Sequence, residues 1–508
     1  MIYLEISCKD KYFFVILHPK NQKIDIMTKR ILMIVATAAL CMSAEAKVKL
    51  PKLVSDGMVI QHSADVRLWG WDKPGSKVTV TTSWSDEKAT VTTGKDGKWL
   101  VSVKSPKASF TPLEITFDDG EKTTVKNVLA GEVWVCAGQS NMEMPVKGFG
   151  QCPVVDYNKE VLNAADGVRS AKIPSRMSTR PLDDAETSWR ISSPQTVSEF
   201  SATGYFFAKT VRNALNIPVG IIEANKGGSR VESWLDEANL KKYTKENLDS
   251  ATMKDRFQWD FHYPLLWGNA TVHPILNYTV KGILYYQGCS NVGDPKGQYT
   301  NRLKLLVEQW RRDFKEGEIP FYFVQIAPYV YGDGIDGTSG AKLREQQYEA
   351  TKVIPNSGMV CTNDLVFPYE KGQIHPAQKQ QVGERLAYLA LNKTYGIKTV
   401  ICESMTFKDM ILQDGKAYLS FDNMSDGYNR WEDIEGFEIA GNDKVFHKAT
   451  ATKFWAPGND PRNERIVVSS PEVKEPVAVR YCFKNFQIGN FGNQGGLPLV
   501  PFRTDNWE

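Results

Sequence analysis

The amino-acid sequence predicts an α/β protein: a mostly parallel sheet covered by helices on both faces, with all-β regions at either end. Three observations carry this expectation. Between residues 129 and 398, short apolar runs alternate with amphipathic stretches, the pattern of strands buried on both faces and helices laid over them. Residues 47–128 and 399–508 instead hold short runs of alternating polarity broken by turn signals, as half-exposed strands require. The length of 508 residues exceeds what one hydrophobic core serves and argues for about three domains.

Residues 1–26 show no usable pattern. From Met27 the texture changes: Thr28-Lys29-Arg30 is basic, Ile31 to Met42 is apolar, and Ser43-Ala44-Glu45-Ala46 offers an Ala-x-Ala cleavage site. This is the layout of a secretory signal peptide cut near Ala46, with Met27 as the true start. About a dozen apolar residues are too few to span a bilayer. Leu40 stands where a lipoprotein signal before Cys41 needs a small residue, and no later stretch is apolar for long enough to cross a membrane. The expectation is a soluble, exported mature chain, periplasmic or extracellular.

Removing residues 1–46 lowers the net charge from +3 to +1. With no Lys/Arg-dense tract, composition argues against a nucleic-acid partner. Six of the eight cysteines remain after cleavage: Cys136, Cys152, Cys289, Cys361, Cys402 and Cys482. No Cys-x-x-Cys pair occurs, which argues against zinc. Export permits disulfides, whose pairing the spacing leaves open. Cys136 and Cys361 sit in apolar runs and read as buried free thiols.

Within 47–128, Val78-Thr79-Val80-Thr81-Thr82 and Trp99-Leu100-Val101-Ser102-Val103 alternate well, and Lys73-Pro74-Gly75, Lys95-Asp96-Gly97 and Asp118-Asp119-Gly120 mark turns. About 80 residues of this kind fit a small β-sandwich. Trp69, Trp71 and Trp84 are either sugar contacts or, as aromatics in sandwiches usually are, core. In 129–398 the expected strands are 131–137, 218–223, 281–286, 320–326 and 357–362. One helix is marked by Phe206, Val211 and Leu215, and another by Leu303, Leu306, Val307, Trp310 and Phe314. A third runs from Ala377 to Leu391, with Val382, Leu386 and Leu389 on one face. Residues 145–200 are poor in regular pattern and read as an excursion near the site. After 399 the strand-like runs return, as in Ala417-Tyr418-Leu419-Ser420-Phe421 and Val477-Ala478-Val479-Arg480-Tyr481.

The first expected strand, Val133-Trp134-Val135-Cys136-Ala137, runs into Gly138-Gln139-Ser140-Asn141-Met142. Ligands of open α/β sheets bind at the carboxyl edge of the strands, so Ser140 is a candidate nucleophile. A strand ending in Gly-x-Ser also arises by chance. Met142 stands where the nucleophile elbow of α/β-hydrolases has its second glycine, which argues against that fold. A serine needs a base, and histidine is the usual one near neutral pH. Of six histidines, His375 follows the fifth strand through a loop and precedes Pro376 and a helix, on the same sheet edge as Ser140. Its bland alternative is a structural cap. Asp364, at the end of the fifth strand, is the candidate acid behind it; Glu370 is nearer but lies in a charged loop. Gly227-Gly228 after the second strand and Asn291 after the third are candidate oxyanion donors, beside the N–H of Ser140 itself.

The chain resembles the sialate O-acetylesterase-like branch of the SGNH (GDSL-type) hydrolases, from about Lys49 to the carboxyl terminus. Leu53 to Gln61 resembles that family's amino-terminal β domain. Gly138-Gln139-Ser140-Asn141-Met142-Glu143-Met144-Pro145 looks like its first block. Gly227-Gly228-Ser229 with Trp234 resembles the second, and Tyr286-Gln287-Gly288-Cys289-Ser290-Asn291 the third. Ile374-His375-Pro376 with Lys379, Val382, Gly383, Arg385 and Leu386 resembles the last, and the ending Gly496-Leu497-Pro498 with Pro501-Phe502-Arg503-Thr504-Asp505 also looks like the family.

The resemblance implies a flavodoxin-like three-layer α/β/α catalytic domain at 129–398, between β-sandwich-like regions at 47–128 and 399–508. It implies Ser140 as nucleophile, His375 as base, and Gly227/Gly228 with Asn291 in the oxyanion hole. Two positions depart from the pattern. Many members carry aspartate three residues before the histidine, where this chain has Gly372. The acid is then Asp364, or a Ser-His dyad operates with a backbone carbonyl orienting His375. Cys289 stands where the family usually has glutamate. The reading is an exported serine O-acetylesterase acting on an O-acetylated sugar, without cofactor or metal. Sialic acid is the first substrate expectation. The alternatives are an acetylated polysaccharide such as xylan or pectin, or a non-catalytic carbohydrate-binding protein.

Overall fold

The computed structural model describes residues 47–243, 248–249, 257–294, 298–425, 427–456 and 458–507, with the backbone of 5–8 and 11–14. The chain divides into two units, Met1–Lys47 and Val48–Glu508. In the first, Glu5–Cys8 pairs antiparallel with Lys11–Phe14. The expected signal peptide at 27–46 lies outside the described residues. Among the described residues no helix is long and apolar enough to cross a membrane.

The second unit is built on one long strand, β1 (Lys122–Gly138). Its first half belongs to the amino-terminal β region, pairing with Val59–Gln61 and Ser109–Asp118. Its second half is the centre of a sheet with β2 (Val168–Lys172), β3 (Trp189–Ile191), β4 (Val219–Asn225), β5 (Gly282–Tyr286), β6 (Phe321–Val324) and β7 (Ser357–Val360), in the order β3-β2-β4-β1-β5-β6-β7. All neighbours in this row are parallel except β3, the antiparallel edge. The whole sheet is therefore mixed. The expected boundary at 128/129 falls inside β1.

The five expected strands are all present; the first begins at Lys122, nine residues before the expected start, and the others differ by at most two residues at either end. β2 and β3 lie in the stretch expected to be irregular; β3 is a three-residue edge, and in β2 polar residues disguise the burial. Arg169 in β2 is 4% exposed and donates to the carbonyls of Gly57 and Asn127, and Ser170 donates to buried Glu223. Hydrogen bonds offset the cost of burying such groups, so the run shows no apolar signature.

Side chains of β1 alternate between two cores. Val133, Val135 and Ala137 pack with Leu303, Leu306 and Trp310 of α3 (Gln298–Phe314). Trp134 and Cys136 pack with Phe206 and Phe207 of α2 (Ala202–Leu215) and Leu386 of α5 (Lys379–Leu389). Each fully buried aliphatic of this kind contributes about 1.5–3 kcal/mol. α3 packs on α4 (Ser339–Val353), and α2 on α5. The second pair meets closely at Gly383, where a Cβ would lie 2.6 Å from both Phe206 Cβ and the Thr203 carbonyl.

The carboxyl-terminal region forms two four-stranded antiparallel sheets that share a core containing Leu419, Phe421, Ile439, Val468 and Tyr481. Trp69 is buried in the amino-terminal core, as its core reading expects.

Candidate active site

The parallel row changes direction at β1. The chain leaves β1 for β2, β3 and β4 on one side, then crosses to β5, β6 and β7 on the other. A crevice at the carboxyl ends of the strands is expected at such a reversal, and Ser140 stands there, opening the short helix α1 (Ser140–Glu143). Gly138 makes the turn possible. It has φ 135°, and a Cβ would fall 2.3 Å from the Tyr286 carbonyl oxygen at the end of β5. The next residue ties the two strand ends together: the Gln139 N–H donates to the Tyr286 carbonyl (2.9 Å), and Gln139 Oε1 accepts from the Gly288 N–H (2.8 Å).

Ser140 Oγ lies 2.8 Å from His375 Nε2. Burial, reinforced by the positive charge of Lys379, lowers His375 to about 4. The imidazole is therefore neutral at pH 7 and can accept the hydroxyl proton, which is what activation of a serine requires. The loop between α1 and β2 closes over the ring. Phe149 packs edge-on at 5.3 Å, and Cys152 Sγ lies 3.8 Å from Nδ1.

Asp364 is not brought to His375. Both its oxygens accept from Arg385 of α5, at 2.8 and 2.6 Å, and Arg385 also donates to the Cys361 carbonyl. Proximity in sequence suggested an orienting acid, but the nearby guanidinium takes the carboxylate in a bidentate pair. Glu370 is likewise occupied, accepting from the N–H groups of Phe367 and Ala377.

Gly227 lies beside the serine: a Cβ there would meet Ser140 Cβ at 3.5 Å. Its N–H donates to Glu143 Oε2 at 2.8 Å. Gly228, with φ 75°, packs on the ring of Phe261, which stacks on Trp259. Asn291 is fully buried. Its Oδ1 accepts from the Val231 N–H and from Gln287, and its Nδ2 donates to Glu232 (3.0 Å) and Asp294 (2.7 Å). Arg302 and Arg230 balance those two carboxylates. Gly227 and Asn291 thus donate to carboxylates of the protein.

The structure brings Ser140, His375 and Gly227 together at one edge. It places Asn291 in a buried charged network next to the Gly228–Val231 segment and keeps Asp364 apart. Sequence reasoning missed Glu143, Phe149 and Cys152. Only the irregular texture of 145–200 pointed toward the last two, and nothing local marks Glu143 as a partner of Gly227. The other described histidines are engaged elsewhere: His62 with Glu132, His273 with the Leu182 carbonyl, His447 with Glu472, and His262 against Phe261. Among the described residues no group of three or more His, Cys, Asp or Glu is placed to hold a metal ion.

Comparison with known proteins gives a consistent set. A family model described as carbohydrate esterase, sialic acid-specific acetylesterase, matches residues 130–392. The sialate O-acetylesterase of Homo sapiens is 28% identical over 437 residues, covering 78% of this chain and 81% of that protein. The Mus musculus counterpart is 26% identical over 532 residues, covering 91% and 95%. The crystal structure of a carbohydrate acetylesterase from Xanthomonas citri is 32% identical and superposes with a TM-score of 0.77, covering 91% of this chain and 100% of that one.

Proposed function

Since the chain belongs to the carbohydrate esterase family of sialic acid-specific acetylesterases, we propose that it is an exported serine O-acetylesterase that removes acetyl groups from sialic acid through an acetyl-enzyme. In this reading 129–398 is a flavodoxin-like three-layer SGNH catalytic domain. Helix pairs on opposite faces of the parallel row support it. Residues 47–128 and 399–508 are β-sandwich-like domains flanking it. Residues 27–46 direct export.

The observation that carries the reading is the 2.8 Å contact between Ser140 Oγ and His375 Nε2. Ser140 Oγ bonds to the ester carbonyl carbon while Nε2 takes its proton. The resulting oxyanion is held by the N–H of Ser140, a Gly227 or Gly228 N–H, and the Asn291 amide. For Gly227 and Asn291 to serve, Glu143 and the Glu232/Asp294 pair must give up their present bonds as substrate enters. Each recruited donor is worth about 10²–10³ in turnover. The tetrahedral species collapses as the C–O bond to the sugar breaks, and His375 returns the proton to the departing alcohol. Water, deprotonated by His375, then bonds to the acetyl carbon and releases acetate and Ser140. With Asp364 committed to Arg385, a Ser-His dyad is the simpler arrangement, its imidazole oriented by the loop that carries Phe149 and Cys152.

Ser140→Ala should lower turnover of p-nitrophenyl acetate by about 10⁴ or more with the fold intact; retained turnover would falsify the mechanism. A second reading takes an acetylated polysaccharide as substrate. The 32% identity to a carbohydrate acetylesterase of Xanthomonas citri is compatible with either sugar class. Acetate release from O-acetylated sialic acids and from acetylated xylan decides between them.

A further inference from the structure

Lys379 opens α5, yet it is only 1% exposed. Its Nζ donates to Asn141 Oδ1 (2.9 Å) and to the Pro376 carbonyl (2.6 Å). Asn141 Nδ2 donates in turn to the Ile374 carbonyl (2.9 Å). These three bonds close a loop around His375. The carbonyl on each side of the histidine is held, and both holders meet at Asn141, the residue after Ser140. Burying an ammonium is costly, and an apolar side chain at this place would avoid that cost. The charge and the bonds therefore need a use.

Resting on the esterase reading above, the geometry points to Lys379 as a positioning residue that fixes the Ser140–His375 pair through Asn141, and whose ammonium charge governs how readily His375 accepts the serine proton. The charged and titratable groups facing Lys379 are Glu370, Cys289, Cys152 and His375, and the ring of Tyr286 lies 6.0 Å from Nζ. Burial outweighs the attraction of Glu370 and brings Lys379 down to about 7. Below that pH the ammonium repels the imidazolium that forms when His375 takes the proton. Above it the group is an amine. An amine keeps two N–H donors, enough for Asn141 and Pro376, so the bonds persist while the repulsion disappears. Turnover should therefore rise as Lys379 deprotonates, although His375 is already neutral.

The test is the pH dependence of kcat and KM for p-nitrophenyl acetate between about pH 5 and 9, with folding followed by circular dichroism. In the wild type kcat should rise about tenfold through an inflection near pH 7, the effect of one pKa unit on the base. Lys379→Met should abolish that inflection and lower the alkaline plateau of kcat about tenfold or more, with KM within about twofold. Asn141→Asp, which sets a carboxylate against Nζ, should move the inflection to higher pH. A wild-type profile without an inflection between about pH 6 and 8 overturns the proposal. So does a folded Lys379→Met that keeps the wild-type profile, or an inflection that Asn141→Asp leaves in place. Ser140→Ala keeps the two readings apart. If that variant is active, the esterase mechanism fails; if it is inactive and Lys379→Met behaves as wild type, only the role of Lys379 fails.

Discussion

Asp364→Asn separates a triad from a dyad, and the structure sets the size of each effect. In the native protein the Asp364 carboxylate faces Arg385 at 2.8 and 2.6 Å, with 27% of the Asp364 side chain and 9% of the Arg385 side chain exposed. Asparagine keeps one acceptor but turns an N–H toward the guanidinium and leaves it without its counter-charge. Breaking a fully buried pair costs about 3–5 kcal/mol. Here Asp364 is partly in water and Arg385 keeps its bond to the Cys361 carbonyl, so the loss should be nearer to about 2 kcal/mol. That loss would appear as a lower urea midpoint. An acid that orients and stabilises an imidazolium is worth far more in rate, about 10⁴ in kcat. The expected result is a destabilised enzyme whose kcat for p-nitrophenyl acetate at 25 °C falls no more than about tenfold. A folded variant of unchanged urea midpoint that loses about 10³-fold or more in kcat would refute the reasoning and put Asp364 behind His375.

Cys152→Ala removes the thiol 3.8 Å from His375 Nδ1. kcat should drop about tenfold while KM for the small ester stays near wild type, and equal kcat values would show that Phe149 alone steadies the ring. The low value of His375 also predicts acid sensitivity. Held at about 4 in the folded protein against an ordinary 6.5, His375 takes up a proton later than it does in the unfolded chain. The unfolded state binds more protons in that window, so stability present above pH 6.5 is lost as pH falls toward 4. Urea midpoints at pH 7 and pH 4.5 should differ less for His375→Gln than for the wild type, and an equal difference would contradict the assignment.

The apolar run 133–137, the Gly138-x-Ser140 turn and the Ile374-His375-Pro376 segment are local features, legible because strand periodicity and turn chemistry depend on neighbours in sequence. Alternating runs over 129–398 pointed to the α/β architecture, and these local features pointed to the edge at which Ser140 stands and to His375 among the six histidines. Arg169 and Ser170 hid a strand because their burial is offset by distant hydrogen-bond partners. The pairings that set the chemistry were decided only in three dimensions. Ser140 and His375 are 235 residues apart, Asn141 and Lys379 238, and Glu143 and Gly227 84. Asp364 pairs with Arg385 of α5, 21 residues along the chain, and not with His375. Periodicity records which residues are buried. It does not record which buried charges meet, because that follows from how separate elements pack, and packing is a property of the whole fold.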